Sequence, residues 1–206
     1  MADKMKLYFH PASPYVRKVT ICLHELALFD QVVLEPTVVA PHAPNQTLAR
    51  LNPLMKMPTL EPVNGTALFD SVVICEYLNA LAKGHLFPAE GEERWSALRL
   101  HSIGDGVLDA ALLARYETAV RPAALLWPEW LAGQFAKVDY ALDLLETECT
   151  TFGNDFDIGQ ITVACALGYL DFRFADRPWR TGRDALAAWF LRISQRESMA
   201  LTVPHV

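Results

Sequence analysis

Ser13-Pro14-Tyr15-Val16-Arg17-Lys18 directly follows the apolar segment 6–10 and opens a run in which Val16, Val19, Cys22, Leu23 and Leu26 recur at helical spacing. The passage therefore reads as a strand that turns at once into an amphipathic helix, residues 14–28. Serine at the cap and proline at the first helical position are what a helix start prefers. Working outward, residues 31–39 are β-branched and strand-like. Residues 58–62 and 67–69 flank Val63-Asn64-Gly65-Thr66. Asn-Gly is a strong hairpin signal, because both central positions of its turn favour positive φ. Residues 71–82 read as a helix. The order is β-α-β-(α)-β-β-α, with parallel strands joined by a helix and then an antiparallel hairpin.

A Gly/Pro-rich break, Gly84-His-Leu-Phe-Pro-Ala-Glu-Gly91, follows. Beyond it the pattern is helical throughout, over 92–116, 129–147, 157–173 and 183–194. The fold class is α/β plus all-α, with a mixed domain over residues 1–84 and a helical bundle over 92–206.

The 206 residues are 52% hydrophobic and 20% charged, which excludes general disorder. A net charge of −6 without a basic run excludes the footprint of a nucleic-acid binder. Cys22, Cys75, Cys149 and Cys165 are far apart and form no CxxC pair, so they read as core thiols in a reducing compartment. The apolar core of a secretory signal is missing, and no stretch reads as a membrane span. The expectation is a soluble, cytoplasmic protein with no membrane partner. No histidine or cysteine spacing suggests a metal site.

Three short constellations carry chemistry. Ser13, taken alone, is a helix cap. The same geometry also sets a hydroxyl beside unpaired N–H groups and the positive end of a helix dipole, where a substrate thiolate would be stabilised. The second is Asn52-Pro53-Leu54-Met55-Lys56-Met57-Pro58-Thr59-Leu60. Alone it is a strand start; with a cis bond before Pro58, Met57 would offer its N–H and C=O to an extended peptide. In the third, Asp70-Ser71 precedes the run Val72-Val73-Ile74. It is a capping pair, or an anion site for a carboxylate with Asp70 facing the adjacent ammonium, the two charges of an α-amino acid.

Together, in this order, the three resemble the glutathione transferase superfamily over essentially the whole chain: Ser-Pro-(Tyr/Phe)-x-Arg-Lys-Val, then Asn-Pro-x-x-Lys-x-Pro-x-Leu, then an acidic residue and Ser opening a helix. The opening motif is most similar to serine-type branches, including many bacterial ones. The resemblance implies a thioredoxin-like βαβαββα domain and a helical C-terminal domain. It implies that Ser13 hydrogen-bonds the glutathione sulfur and that Met57, before a cis Pro58, pairs with the cysteinyl backbone. It also implies that Asp70 and Ser71 hold the γ-glutamyl end, and that Lys56 lies near the glycine carboxylate. Tyr15 would line the site, and Tyr15, Ile103, Val107 and Tyr169 would contact a hydrophobic electrophile. Glutathione is then a co-substrate, with no cofactor or metal, and the protein a homodimer acting in detoxification.

Several details depart from the pattern. Pro41 and Pro44 discourage a helix between residues 36 and 50, leaving His42 and Asn45 as the local polar candidates for the glycine end. Asn154 is expected to cap the helix that follows, with Asp157 reaching back to it. On the next helical segments, Asp105 and Asp109 share a face with His101, and Arg173 is a candidate to brace Asp105. Trp127, Trp130, Trp179 and Trp189 read as packing residues. Serine in place of cysteine argues against glutathione-dependent disulfide reduction. The main alternative to catalysis is a glutathione-binding or ligand-binding module with little turnover.

Overall fold

The computed structural model describes residues 3–153 and 155–206. Two compact units are present. The first runs to Phe87 and takes in Glu197–Val206; the second is Pro88–Arg196.

In the first unit, β1 (Met5–Phe9) lies at the centre of a three-stranded sheet of order β2-β1-β3. β2 (Val32–Pro36) runs parallel to β1 and is reached through helix α1 (Pro14–Glu25); β3 (Thr59–Glu61) is antiparallel to it. Parallel neighbours need such a crossover, because a tight turn can join only antiparallel strands. The short helix α2 (Gln46–Ala49) precedes β3, and α3 (Ser71–Ala82) follows it and packs on α1. Leu7, Leu60, Val16, Val19, Leu23, Ile74 and Leu78 form the core between sheet and helices. Helix α8 (Glu197–Ala200) also packs on α1. There the buried Arg17 donates to the Met199 carbonyl at 3.2 Å, so the chain's last ten residues complete the first unit. The helical texture beyond residue 91 points instead to the helical domain for these residues.

The expected hairpin is reduced. Leu60 and Leu68 exchange two backbone hydrogen bonds, of 3.0 and 2.7 Å, as an isolated bridge without a fourth strand. Gly65 has φ +133°, whereas Asn64 is outside the positive-φ set, so the connection is a wider loop than the two-residue turn that Asn-Gly suggests. The opposite correction applies at 36–50. A helix does form there, since α2 begins after both prolines and is capped by Asn45, whose Oδ1 accepts from the Leu48 N–H at 2.9 Å.

The second unit holds α4 (Gly91–Ala119), α5 (Pro128–Glu148), α6 (Ile158–Arg173) and α7 (Asp184–Ile193). α6 is its axis, buried along Ile158–Leu170. Two glycines let α4 and α6 approach. A Cβ on Gly159 would lie 2.6 Å from the Ala97 carbonyl oxygen, and one on Gly104 would lie 2.8 Å from the Thr162 methyl. Asp157 is itself the cap of α6, its Oδ1 accepting from the Gln160 N–H at 3.0 Å. Gln160 in turn donates to the carbonyls of Gly153 and Asp155. Asn154 lies outside the described residues. Glu146 caps α7, accepting from the Ala185 and Leu186 N–H groups at 3.0 and 2.8 Å. Trp179 and Trp189 are buried as expected, but Trp127 is 60% exposed. All four cysteines are buried, and none is joined in a disulfide among the described residues. Among the described residues no helix is long and apolar enough to cross a membrane, and no group of acidic, histidine and cysteine side chains could hold a metal ion.

Candidate functional site

The register of the sheet gathers the three constellations at one end. Tyr8 pairs with Thr59, so one step further along β1 brings Phe9 level with Pro58. Leu68 pairs with Leu60 in the antiparallel sense, so two steps beyond it Asp70 reaches the same level. Ser13 follows the end of β1 by four residues. A strand end, a loop before a strand and two helix starts therefore share one end of the sheet, although 56 residues of chain lie between Ser13 and Asp70.

Ser13 is held by the tight turn after β1. Its N–H donates to the His10 carbonyl at 3.0 Å, while the Ala12 N–H donates to His10 Nδ1 at 3.2 Å. Extended backbone at φ −85°, ψ 120° points the side chain back over the helix start, where Oγ accepts from the Val16 N–H at 3.3 Å. Among the described residues nothing accepts the Ser13 hydroxyl proton. The group is thus a donor waiting at the positive end of a helix. Tyr15 is half-buried in the first turn, with the buried Lys18 ammonium 5.9 Å from its ring centroid.

The Met57–Pro58 peptide bond is cis. Among the described residues, the Met57 N–H and C=O make no hydrogen bond, although Pro58 beside them is buried. Two residues that sequence reasoning quoted without a role build this presentation. Buried Asn52 donates through Nδ2 to the Lys56 carbonyl at 3.1 Å and to Thr59 Oγ1 at 2.9 Å. Its Oδ1 accepts from the Leu54 N–H, and Thr59 Oγ1 also donates to the Lys56 carbonyl. An Asn-Pro pair at the head of a loop was the available signal, since Asn side chains bond their own backbone two residues on. The Lys56 side chain is exposed.

Asp70 caps α3, its Oδ1 accepting from the Val72 N–H at 3.1 Å, and the peptide bond before it is also cis. Ser71, the first helical residue, is buried at 2% exposure. Asn45 is already used, by the cap of α2 and by donation to the Val38 carbonyl, and His42 is exposed.

In the second unit Val107 and Tyr169 are buried and Ile103 half-buried. His101 Nε2 lies 3.2 Å from Asp105 Oδ2, so the partner of Asp105 is a histidine on its own helix, not Arg173. Burial pushes the Tyr169 and Tyr116 phenols above their usual range.

Comparison with known proteins shows the family. Residues 12–81 match the glutathione S-transferase N-terminal domain, and residues 128–192 match the C-terminal domain. The chain belongs to the glutathione S-transferase family. It is 32% identical over 204 residues, 97% of this chain and 98% of the other, to the "Uncharacterized GST-like protein YibF" of Escherichia coli K12. A glutathione transferase family member from Pseudomonas fluorescens Pf-5, solved with bound glutathione, is 46% identical. It superposes with a TM-score of 0.96 over 98% of this chain and all of that one. The same Pseudomonas target, described at 45% identity and TM-score 0.91 over the same shares, carries S-(propanoic acid)-glutathione. A glutathione S-transferase from Methylobacillus flagellatus with glutathione bound is 30% identical, with a TM-score of 0.86 over 98% of this chain and all of that one.

Proposed function

We propose that this transferase is of the serine type: it binds glutathione at the sheet edge of the first unit and uses Ser13 to hold its sulfur as a thiolate. The observation that carries this reading is the Ser13 hydroxyl. It accepts from Val16, keeps a proton with no acceptor among the described residues, and stands at a helix N-terminus. A cysteine thiol ionises near pH 8.5 when free, and a hydrogen bond at a helix N-terminus lowers that value. The open N–H and C=O of Met57 suit pairing with the cysteinyl backbone. Asp70 and Ser71 suit the γ-glutamyl ammonium and carboxylate, and Lys56 the glycine carboxylate. Tyr15 is read as a further contact of the bound tripeptide.

The reaction is attack of that thiolate on a small electrophile, with Ile103, Val107 and Tyr169 as the helical unit's contacts to it. The enzyme's share is to ionise the thiol and hold two reactants together. The relative that holds glutathione both free and with a sulfur substituent supports this assignment at the family level. A homodimer, a cytoplasmic location and a role in detoxification belong to the same proposal.

The test is the ultraviolet absorbance of the thiolate when glutathione binds at a pH where the free thiol is mostly protonated. The native protein should show it and Ser13→Ala should lose most of it, together with turnover of an electrophile panel. Equal ionisation and turnover in the two proteins would remove Ser13 from this role. Tight glutathione binding in calorimetry, with no electrophile converted, would turn the assignment to a binding module.

A further inference from the structure

Helices α4 and α6 run side by side in the same direction: Gly159 lies against Ala97 and Leu100, and further along Gly104 lies against Thr162 and Val163. Continued toward the C-terminal ends, this packing brings Arg115 of α4 level with Arg173 of α6, with Tyr116 next to the one and Tyr169 one turn before the other. The electrostatics agree, since the buried Tyr169 phenol feels the Arg173 and Arg115 guanidinium groups and the Tyr116 phenol. The Arg173 guanidinium stacks 4.1 Å from the Phe172 ring centroid, and its Nε is buried with no hydrogen-bond partner among the described residues.

Five other arginines of the unit each pair with an acid. Arg99 pairs with Glu148, Arg121 with Glu117, Arg177 with Asp139, Arg180 with Asp171 and Arg183 with Asp143. Among the described residues neither Arg115 nor Arg173 has a carboxylate within ion-pair distance, and Asp105 is taken by His101. Two half-buried guanidinium groups and two phenol hydroxyls on adjoining helix ends, with no protein anion, form the donor set that a carboxylate requires.

We propose that Arg115, Arg173, Tyr116 and Tyr169 form a carboxylate-binding site on the helical unit, and that the second substrate is an electrophile bearing a carboxylate. The inference rests on the transferase reading above for its reaction, though not for the binding itself. Pairing the substrate carboxylate with fixed cations offsets its repulsion from a thiolate nucleophile and orients the electrophilic carbon. For a chloroaromatic acid the step is balanced as follows: the thiolate forms a C–S bond, the C–Cl bond breaks, and chloride leaves with the bonding pair.

The probes are 4-chloro-3-nitrobenzoate and its neutral carboxamide, with rates taken relative to the uncatalysed reaction, together with the glutathione adduct of each in calorimetry. The native protein should favour the acid in rate enhancement and in adduct affinity by about tenfold or more, the worth of a charged hydrogen bond. Arg115→Gln and Arg173→Gln should each shrink that ratio, and Arg173→Lys, which keeps the charge, should restore part of it. Equal affinities for the two adducts in the native protein, or a preference untouched by either glutamine variant, would overturn the site. Turnover of neither probe with the adduct preference intact would instead sink the transferase reading and leave the carboxylate site standing.

Discussion

Ser13 combines two duties in one hydroxyl, and they separate by substitution. Ser13→Ala removes both the cap and the thiolate donor, and loss of a serine cap costs about 1 kcal/mol of stability. Ser13→Gly should retain most of the stability, because glycine is tolerated at a cap, yet ionise bound glutathione as poorly as the alanine variant. Chemical denaturation read beside thiolate absorbance checks the pair; parallel losses in both readouts would make Ser13 a cap alone. A second residue-scale effect is that of Glu117, which is 4% exposed. The Trp127 N–H donates to it at 2.9 Å and Arg121 Nε at 2.7 Å, and these bonds, Trp127 first, hold its carboxyl below the ordinary range. A depressed folded pKa means that the stabilisation is complete above the unfolded value. It is then lost as pH falls from that value through the folded one. Glu117→Gln should therefore flatten the acid limb of a stability–pH curve between those two values while leaving its slope above them unchanged.

At the scale of elements, caps and glycines decide where helices begin and how closely they pack. Asp157 caps α6 but is partly buried, which raises its pKa against the bonds it accepts. A raised folded pKa in an acid means that stability falls as pH rises from the unfolded value to the folded one. Asp157→Asn keeps the cap without the buried charge and should match or exceed the native protein in stability at neutral pH. Asp157→Ala should lose about 1–2 kcal/mol. Denaturation midpoints at neutral and acidic pH distinguish these outcomes. Gly159→Ala should cost about 1–3 kcal/mol, since its methyl would meet the Ala97 carbonyl and the α4 backbone would have to move. Gly106→Ala on α4, with nothing within 4 Å of the added carbon, is the matched control and should be neutral or stabilising.

At the scale of the whole molecule, the chain returns to its first unit: Arg17 of α1 donates to Met199, and Ser198 donates to Glu25, so Glu197–Val206 complete that unit after the helical one has intervened. Deleting residues 197–206 should lower the stability of the first unit in particular, read as faster hydrogen exchange in α1 than in α6. Uniform acceleration would show that the tail supports the whole chain alike. Local chemistry made most elements legible in the sequence: a proline after a capping serine, apolar spacing near 3.6, an Asp-Ser pair before Val72, and a Gly/Pro break between two textures. Those signals act within one or two turns of chain, and so the first helix, α3 and the long helices of the second unit follow from them. The unbuilt fourth strand, the helix after Pro44 and the start of α6 at Asp157 depend on which partner wins each backbone group. Only the packed chain settles that competition. The same division runs through the site. Ser13, Met57-Pro58 and Asp70-Ser71 could be named from the sequence as three helix- or strand-start motifs. Their meeting at one end of the sheet, the support of the Met57 loop by Asn52 and Thr59, and the lack of a carboxylate within ion-pair distance of Arg115 and Arg173 among the described residues depend on register and burial. Those are distances through space, which residue order alone does not carry.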